Sequence, residues 1–283
     1  MPNTSPIISI LTDFGERDGY VGTMKGVMLN IVPNAQLIDI SHEIQPQNIQ
    51  QAASILADVY TYFPPHTVHL VVVDPGVGST RQPIAVGTHR GRFVAPDNGV
   101  LSGVIRSEES WKAVLLNNQE YWLPTQSNTF HGRDIFSPCA AHLANGASLE
   151  ELGTPLDNLT MLKLVALAIS QHAIKGEVTR IDHFGNVLTN IKVLKWIDTN
   201  TLELTPEYDN ESQIMQISAD KAQVTAGWHT MEGIHRTYSE VPVGNKIALV
   251  GSGGELEIAM NQGNAAESTA IKVGDPVTIQ LSS

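Results

Sequence analysis

The sequence predicts an α/β protein: a mainly parallel sheet flanked by helices in the N-terminal domain, followed by a smaller antiparallel, β-barrel-like C-terminal domain. Three observations carry this. The first half alternates apolar runs with amphipathic ones, the texture of strands joined by helical crossovers. Residues 68–73 form a near-continuous apolar run, as expected of a strand buried on both faces. From about Gly176 onward, short strand-like runs alternate with turn residues, as in a small antiparallel barrel.

Residues 7–11 read as a strand, and residues 20–31 as a helix stopped by Pro33. Residues 37–40 form a strand; residues 49–63 form a helix ended by Pro64-Pro65, because proline cannot continue the hydrogen-bond ladder. Strands follow at 68–73, 84–87 and 92–95, then the Pro96-Asp97-Asn98-Gly99 turn, a helix over 100–105, and a helix over 136–144 stopped by Gly146. In the second half, strands are expected at 177–181, 187–191, 201–204, 214–217, 246–250 and 277–281. A chain of 283 residues suits two domains, expected at 1–160 and 176–283 with residues 161–175 as their connection.

Hydrophobic residues make up 42% of the chain and charged residues 16%, the balance of a fully folded protein. A net charge of −12 gives no electrostatic support for binding nucleic-acid phosphates or anionic membranes. Cys139 is the single cysteine, which excludes an intramolecular disulfide and a cysteine-rich zinc site. With no signal-peptide pattern and no apolar run of membrane-spanning length, a cytoplasmic protein without membrane contact is the expectation.

Chemistry concentrates where apolar runs end. Val71-Val72-Val73-Asp74-Pro75-Gly76-Val77-Gly78-Ser79-Thr80-Arg81 carries a strand into an acid, a tight turn and an arginine. Ile8-Ser9-Ile10-Leu11-Thr12-Asp13-Phe14-Gly15 ends in the same way, and Thr129-Phe130-His131-Gly132-Arg133-Asp134 is a third polar cluster. Ligands of open α/β sheets gather beyond the carboxyl ends of the strands, so these termini should converge. Taken alone, Asp74 and Arg81 also fit an ion pair bracing a loop, and Asp13 also fits a helix cap. Gly76-Val77-Gly78-Ser79-Thr80 lacks the Gly-Lys-Ser/Thr ending of a P-loop. No dinucleotide fingerprint or His-Glu-x-x-His zinc motif is present, so neither metal nor cofactor is expected.

With Asp182-His183-Phe184-Gly185-Asn186 and Gly251-Ser252-Gly253-Gly254-Glu255-Leu256-Glu257-Ile258-Ala259-Met260-Asn261, the order and spacing of these segments resemble the S-adenosyl-L-methionine (SAM) hydroxide adenosyltransferases. These are the SAM hydrolases related to fluorinase and chlorinase, and the resemblance runs from about residue 8 to about residue 279. It implies hydrolysis of SAM to adenosine and L-methionine, with Asp74, Arg81 and His131 as the catalytic set. It also makes Asp13 the ribose ligand and directs Asp18 to the methionine end. Asp182 would meet the methionine ammonium, Asn186 the adenine edge, and Phe184 and Tyr238 the adenine faces. Ser252 would meet the methionine carboxylate, and Glu257 and Met260 would line the adenine. Relatives of this kind are homotrimers whose site lies between the sheet domain of one subunit and the β domain of its neighbour.

The residue types fit the inferred reaction. Methionine leaves as a neutral thioether, so no acid is needed at sulfur; water is the difficult partner and must lose a proton. A guanidinium stays protonated and can stabilise a developing hydroxide, leaving Asp74 or His131 to take the proton. Positioned acid-base help gives about 10²- to 10⁴-fold, whereas in-line orientation supplies effective molarities of about 10⁵ M or more, so positioning should dominate.

Against fluorinase, this chain has Asp74 and Val77 in place of tyrosine and threonine, Gly132 in place of a halide-contacting serine, and Gln47 in place of a tryptophan. A long insertion of fluorinase shrinks here to Thr88-His89-Arg90-Gly91. All of these differences favour hydroxide. The alternatives are a halide-dependent adenosyltransferase and a non-catalytic SAM or adenosine binding protein; the latter would lack part of the Asp74, Arg81 and His131 set.

Overall fold

A computed structural model describes residues 5–165, 167–205 and 214–281. The chain divides into two compact units, residues 1–163 and 164–283. The first unit contains β1 (Ile7–Thr12), α1 (Tyr20–Ile31), β2 (Gln36–Ser41), α2 (Ile49–Val59), β3 (Thr67–Val72), β4 (Pro83–Gly87) and β5 (Gly91–Pro96). It continues through α3 (Ser102–Ser107), β6 (Lys112–Leu116), α4 (Ser137–Ala144), α5 (Leu149–Leu152) and β7 (Gly153–Leu156).

Its seven strands form one sheet in the order β2-β1-β3-β5-β4-β6-β7. β2, β1, β3 and β5 run parallel, and β5, β4, β6 and β7 pair antiparallel. The change of sense has a local cause: residues 88–90 are too few for a crossover, so β4 and β5 form a hairpin. Alternate residues of the central strands face opposite layers. Ile8, Ile10, Val68, Leu70 and Val72 pack with Met24 and Met28 of α1, whereas Leu11, Val71 and Val73 pack with Ala52 and Leu56 of α2. α2 is capped by Asn48, whose side chain accepts from Gln51 N at 2.9 Å. It ends at Val59 and tightens into a 3₁₀ turn over Tyr60–Tyr62, short of the expected end at residue 63.

The second unit contains β8 (Ala168–Ile169), β9 (Ala173–Ile181), β10 (Val187–Thr189), β11 (Leu194–Trp196), β12 (Thr201–Leu204) and β13 (Met215–Ser218). After these come β14 (Gln223–Ala226), β15 (His229–Glu232), β16 (Lys246–Val250), β17 (Leu256–Met260), α6 (Ala265–Thr269) and β18 (Pro276–Gln280). An antiparallel sheet runs β15-β14-β18-β9-β10-β17-β16, with β8 added on β9, and β11-β12-β13 form a separate meander. A bridge between His235 and Leu249 brings the chain after β15 beside β16, so the larger sheet curls into a nearly closed barrel. β17 was not among the expected strands. Its Leu-Glu-Ile-Ala-Met sequence favours helix, but pairing with β10 and β16 overrides that preference. Among the described residues, no helix is long and apolar enough to cross a membrane.

Candidate active site

Helices leave β1 toward β2 on one face of the sheet and return to β3 on the other, which makes the gap between β1 and β3 a topological switch point, where ligands of such sheets bind. Thr12 and Val72 are paired at the ends of these two strands. Asp13 and the Val73-Asp74 exit therefore leave the sheet side by side.

Seven residues beyond Asp74, the loop returns Arg81 onto its carboxylate. Arg81 Nε donates to Asp74 Oδ1 and Oδ2, each at 2.9 Å, and Nη2 donates to Oδ2. The same Nη2 lies 2.8 Å from Nδ1 of His131. A guanidinium has no acceptor, so Nδ1 must accept and the ring hydrogen must sit on Nε2. Burial, and then the Arg81 charge, push His131 below its usual range. The Asp74 and Arg81 side chains are only 5% and 9% exposed, and Phe136 lies under the guanidinium at 5.0 Å. The pair is thus charge-matched in a largely dry setting, with His131 at its edge.

Several neighbours brace this set. Asn98 Nδ2 holds the carbonyl of Val73 at 2.9 Å, and Ser79 Oγ closes the turn on Gly76 O at 2.6 Å. Gly78 has φ +76°, and a side chain there would meet Asn128 O at 2.5 Å, so only glycine lets the loop approach the His131 segment. After His131 the chain makes a π-helical turn over Gly132–Phe136 before entering α4; the expected helix over 136–144 lacked this turn. Such turns recur at functional sites, and this one places His131 beside Arg81 and Phe136 beneath it. Asp134 is fully buried, takes two bonds from Arg133 and holds Ser127 N at 2.7 Å.

Asp13 Oδ2 accepts the backbone N–H of Gln47 at 2.7 Å, and Gln47 adopts φ +68°. The opposite oxygen and a remaining lone pair can still receive two hydroxyls. Asp18 lies in the exposed loop before α1. Phe14, Tyr20 and Phe130 cluster at centroid distances of 5.3 to 5.9 Å, Phe130 meeting both others edge to face, which ties the Asp13 turn to the His131 segment.

The remaining candidates lie in the second unit. Asp182 Oδ1 accepts from Phe184 N at 2.9 Å and Asn186 N at 2.8 Å, and its Oδ2 accepts from Asn186 Nδ2 at 3.0 Å. This orients the Asn186 amide with its carbonyl oxygen unused by that contact. Phe184 projects from the turn, 72% exposed. Tyr238 donates to Glu257 Oε1 at 2.7 Å. Burial, opposed by that bond and reinforced by Asp182 and Glu255, holds the Glu257 carboxyl above its usual range. Ser252 occupies an exposed turn and Met260 ends β17 half-buried. Among the described residues, no group of three or more His, Cys, Asp or Glu could hold a metal.

Sequence reasoning passed over Thr12, Asn98 and the Arg133-Asp134 brace. Thr12 adjoins Asp13 and Arg133-Asp134 follow closely on His131 in segments already quoted, which is a signal that could have found them, whereas Asn98 reaches Val73 O across 25 positions and has no such local signal.

The chain matches the family models described as SAM hydroxide adenosyltransferase N-terminal domain, over residues 8–153, and C-terminal domain, over residues 176–278. It is 35% identical to a (R)-S-adenosyl-L-methionine hydrolase of Methanocaldococcus jannaschii, covering 96% of this chain and 95% of that one. A fluorinase of Nocardia brasiliensis is 27% identical over 98% of this chain and 97% of its own. An uncharacterized conserved protein of Thermotoga maritima superposes with a TM-score of 0.83 at 35% identity, covering 96% of this chain and 99% of that one.

Proposed function

We propose, because the chain belongs to the SAM hydroxide adenosyltransferase family, that it is an enzyme that hydrolyses SAM to adenosine and L-methionine. The bonded set of Asp74, Arg81 and His131 at the switch point carries this reading. Water attacks the ribose C5′, its oxygen forms the new bond, and the C5′–S bond breaks with its electron pair going to sulfur. One proton is released per turnover.

Arg81 supplies fixed positive charge for the developing hydroxide, and His131 offers Nε2–H to orient it. Asp74 Oδ1 takes only the Arg81 Nε bond, which leaves it a lone pair to accept the proton of water. Cancelling a sulfonium charge against hydroxide proceeds better in a dry recess than in bulk water.

Asp13 receives the ribose hydroxyls, with Asp18 toward the methionine end. Phe184 and Tyr238 stack on adenine, and the free carbonyl of Asn186 accepts its amino group. Asp182 and Ser252 serve the methionine ammonium and carboxylate, while Glu257 and Met260 line the adenine. The same reading carries a cytoplasmic homotrimer in which the sheet domain of one subunit meets the β domain of its neighbour.

Incubation with SAM in oxygen-18 water tests the reaction. Label at the 5′ hydroxyl of adenosine, with methionine and one proton released per adenosine, is expected; unlabelled adenosine would sink the mechanism.

A further inference from the structure

Behind Asp13 lies a second polar chain that the reaction does not use directly. Thr12 Oγ1 is 2.8 Å from Nδ1 of His42, and both residues are buried. His42 Nε2 lies 3.0 Å from Asp39 Oδ1, at ion-pair distance though outside good hydrogen-bond geometry. The other Asp39 oxygen accepts from Lys25 Nζ at 2.6 Å. A carboxylate can only accept, so Nε2 carries hydrogen and, in the neutral ring, Nδ1 receives the Thr12 hydroxyl hydrogen. That leaves the Thr12 oxygen to accept Phe14 N–H at 3.3 Å, a turn that encloses Asp13.

Each donor points the same way, from Phe14 N–H to Thr12, from Thr12 to His42 and from His42 toward Asp39, with Lys25 closing the far end. Two further contacts hold the same turn. His42 O accepts from Gly15 N at 2.8 Å, and Gln47 N binds the Asp13 carboxylate. β1 and β2 slip register between Ile10 and Leu11, so the ladder is irregular just before this turn. Side chains therefore fix what the strand pairing leaves loose.

We propose that His42 is a positioning residue for Asp13, acting through Thr12 to hold the Asp13-Phe14-Gly15 turn in the conformation that receives the ribose diol; this rests on Asp13 as the ribose ligand. His42 touches neither the nucleophile nor the Asp74, Arg81 and His131 set in any contact described above. Its loss should weaken substrate and product binding and leave the chemical step nearly intact.

The test uses Thr12→Val, which keeps shape and removes the hydroxyl, together with His42→Phe and His42→Asn. Asparagine restores an acceptor near the position of Nδ1. KM for SAM and Kd for adenosine, measured by calorimetry, should each rise about tenfold in Thr12→Val and His42→Phe, with kcat changed less than about threefold. His42→Asn should recover most of the loss. If His42→Phe fails to fold, Thr12→Val alone decides. Unchanged KM and Kd in a folded variant, or a fall in kcat at constant KM, overturns the proposal. A wild type that binds adenosine without cleaving SAM would refute the reaction instead and leave the adenosine readout valid. Failure of the wild type to bind adenosine or SAM refutes the ribose role of Asp13 and this inference with it.

Discussion

Nη2 of Arg81 sits 2.8 Å from Nδ1 of His131, donor against bare nitrogen, while the same nitrogen holds Asp74. Protonating His131 would set two donors against each other. The geometry and the lowered pKa therefore agree that the ring is held in its neutral form.

This has a pH signature. His131 is pushed below its ordinary value of 6.5, so kcat/KM should hold level from neutral pH down through 6.5 and fall only where the ring takes up a proton. Nitrogen-15 NMR of histidine-labelled protein at neutral pH should find Nδ1 bare and Nε2 protonated. A loss of kcat/KM that begins above pH 6.5 and disappears in His131→Gln would contradict the assignment.

Arg81→Ala and His131→Ala should each lower kcat by at least about 10²-fold while SAM still binds, because the proposed mechanism sets both on the nucleophile. Arg81→Lys should not restore the rate, since an ammonium lacks the planar fork that reaches two partners at once. Single-turnover rates with calorimetric Kd values separate these effects. Near-normal turnover in Arg81→Ala would return the Asp74 and Arg81 pair to a loop-bracing role.

Halide should not compete with water. The Asp74 carboxylate can accept a hydrogen bond from water but none from a halide, which has no hydrogen, and a side chain at Gly132 would start 3.3 Å from Met24 Sδ and Phe130, pointing into packed core. Gly132→Ser should lower Tm without creating a halide site. Mass spectrometry of products formed in high chloride or fluoride should find adenosine alone, and a substantial 5′-halo-adenosine would promote the halogenase alternative.

Stability should decline in mild acid because of His69. This ring is buried, bonds Ser9 Oγ through Nδ1 at 2.7 Å and has no hydrogen-bond partner at Nε2 among the described residues. Burial lowers it from 6.5 to about 4. The unfolded chain then binds a proton that the folded chain refuses, so stability is lost as pH falls from about 6.5 toward 4, by about 3 kcal/mol at most. Urea titrations across that window should follow this slope, and His69→Gln should flatten it. An equally steep slope in a folded His69→Gln protein would assign the acid sensitivity elsewhere.

Much of this was legible in the chain, for identifiable reasons. α1 runs over residues 20–31 as its apolar spacing and Pro33 required, and the strand-end acids announced the switch point. The contact between Arg81 and His131 spans 50 positions and came only from resemblance, since no local pattern encodes it. The contact between Thr12 and His42 has no local pattern for the same reason, being made across 30 positions at the exits of two parallel strands. The π-helical turn at Gly132–Phe136 has no periodic signature, because one additional residue shifts the phase of an otherwise ordinary helix. The fluorinase insertion bears on a different part of the sheet. Residues 88–90 join the ends of β4 and β5 remote from Asp74 within this sheet.

That hairpin has a practical side. β3 and β5 run parallel, and the proposed catalytic set lies beyond the exit of β3, whereas residues 88–90 precede the entry of β5. A six-residue strand separates the two ends by roughly 20 Å. A fluorophore, affinity handle or surface tether grafted between Thr88 and Gly91 would sit at the far pole of the sheet, leaving the nucleophile's approach unobstructed within that domain.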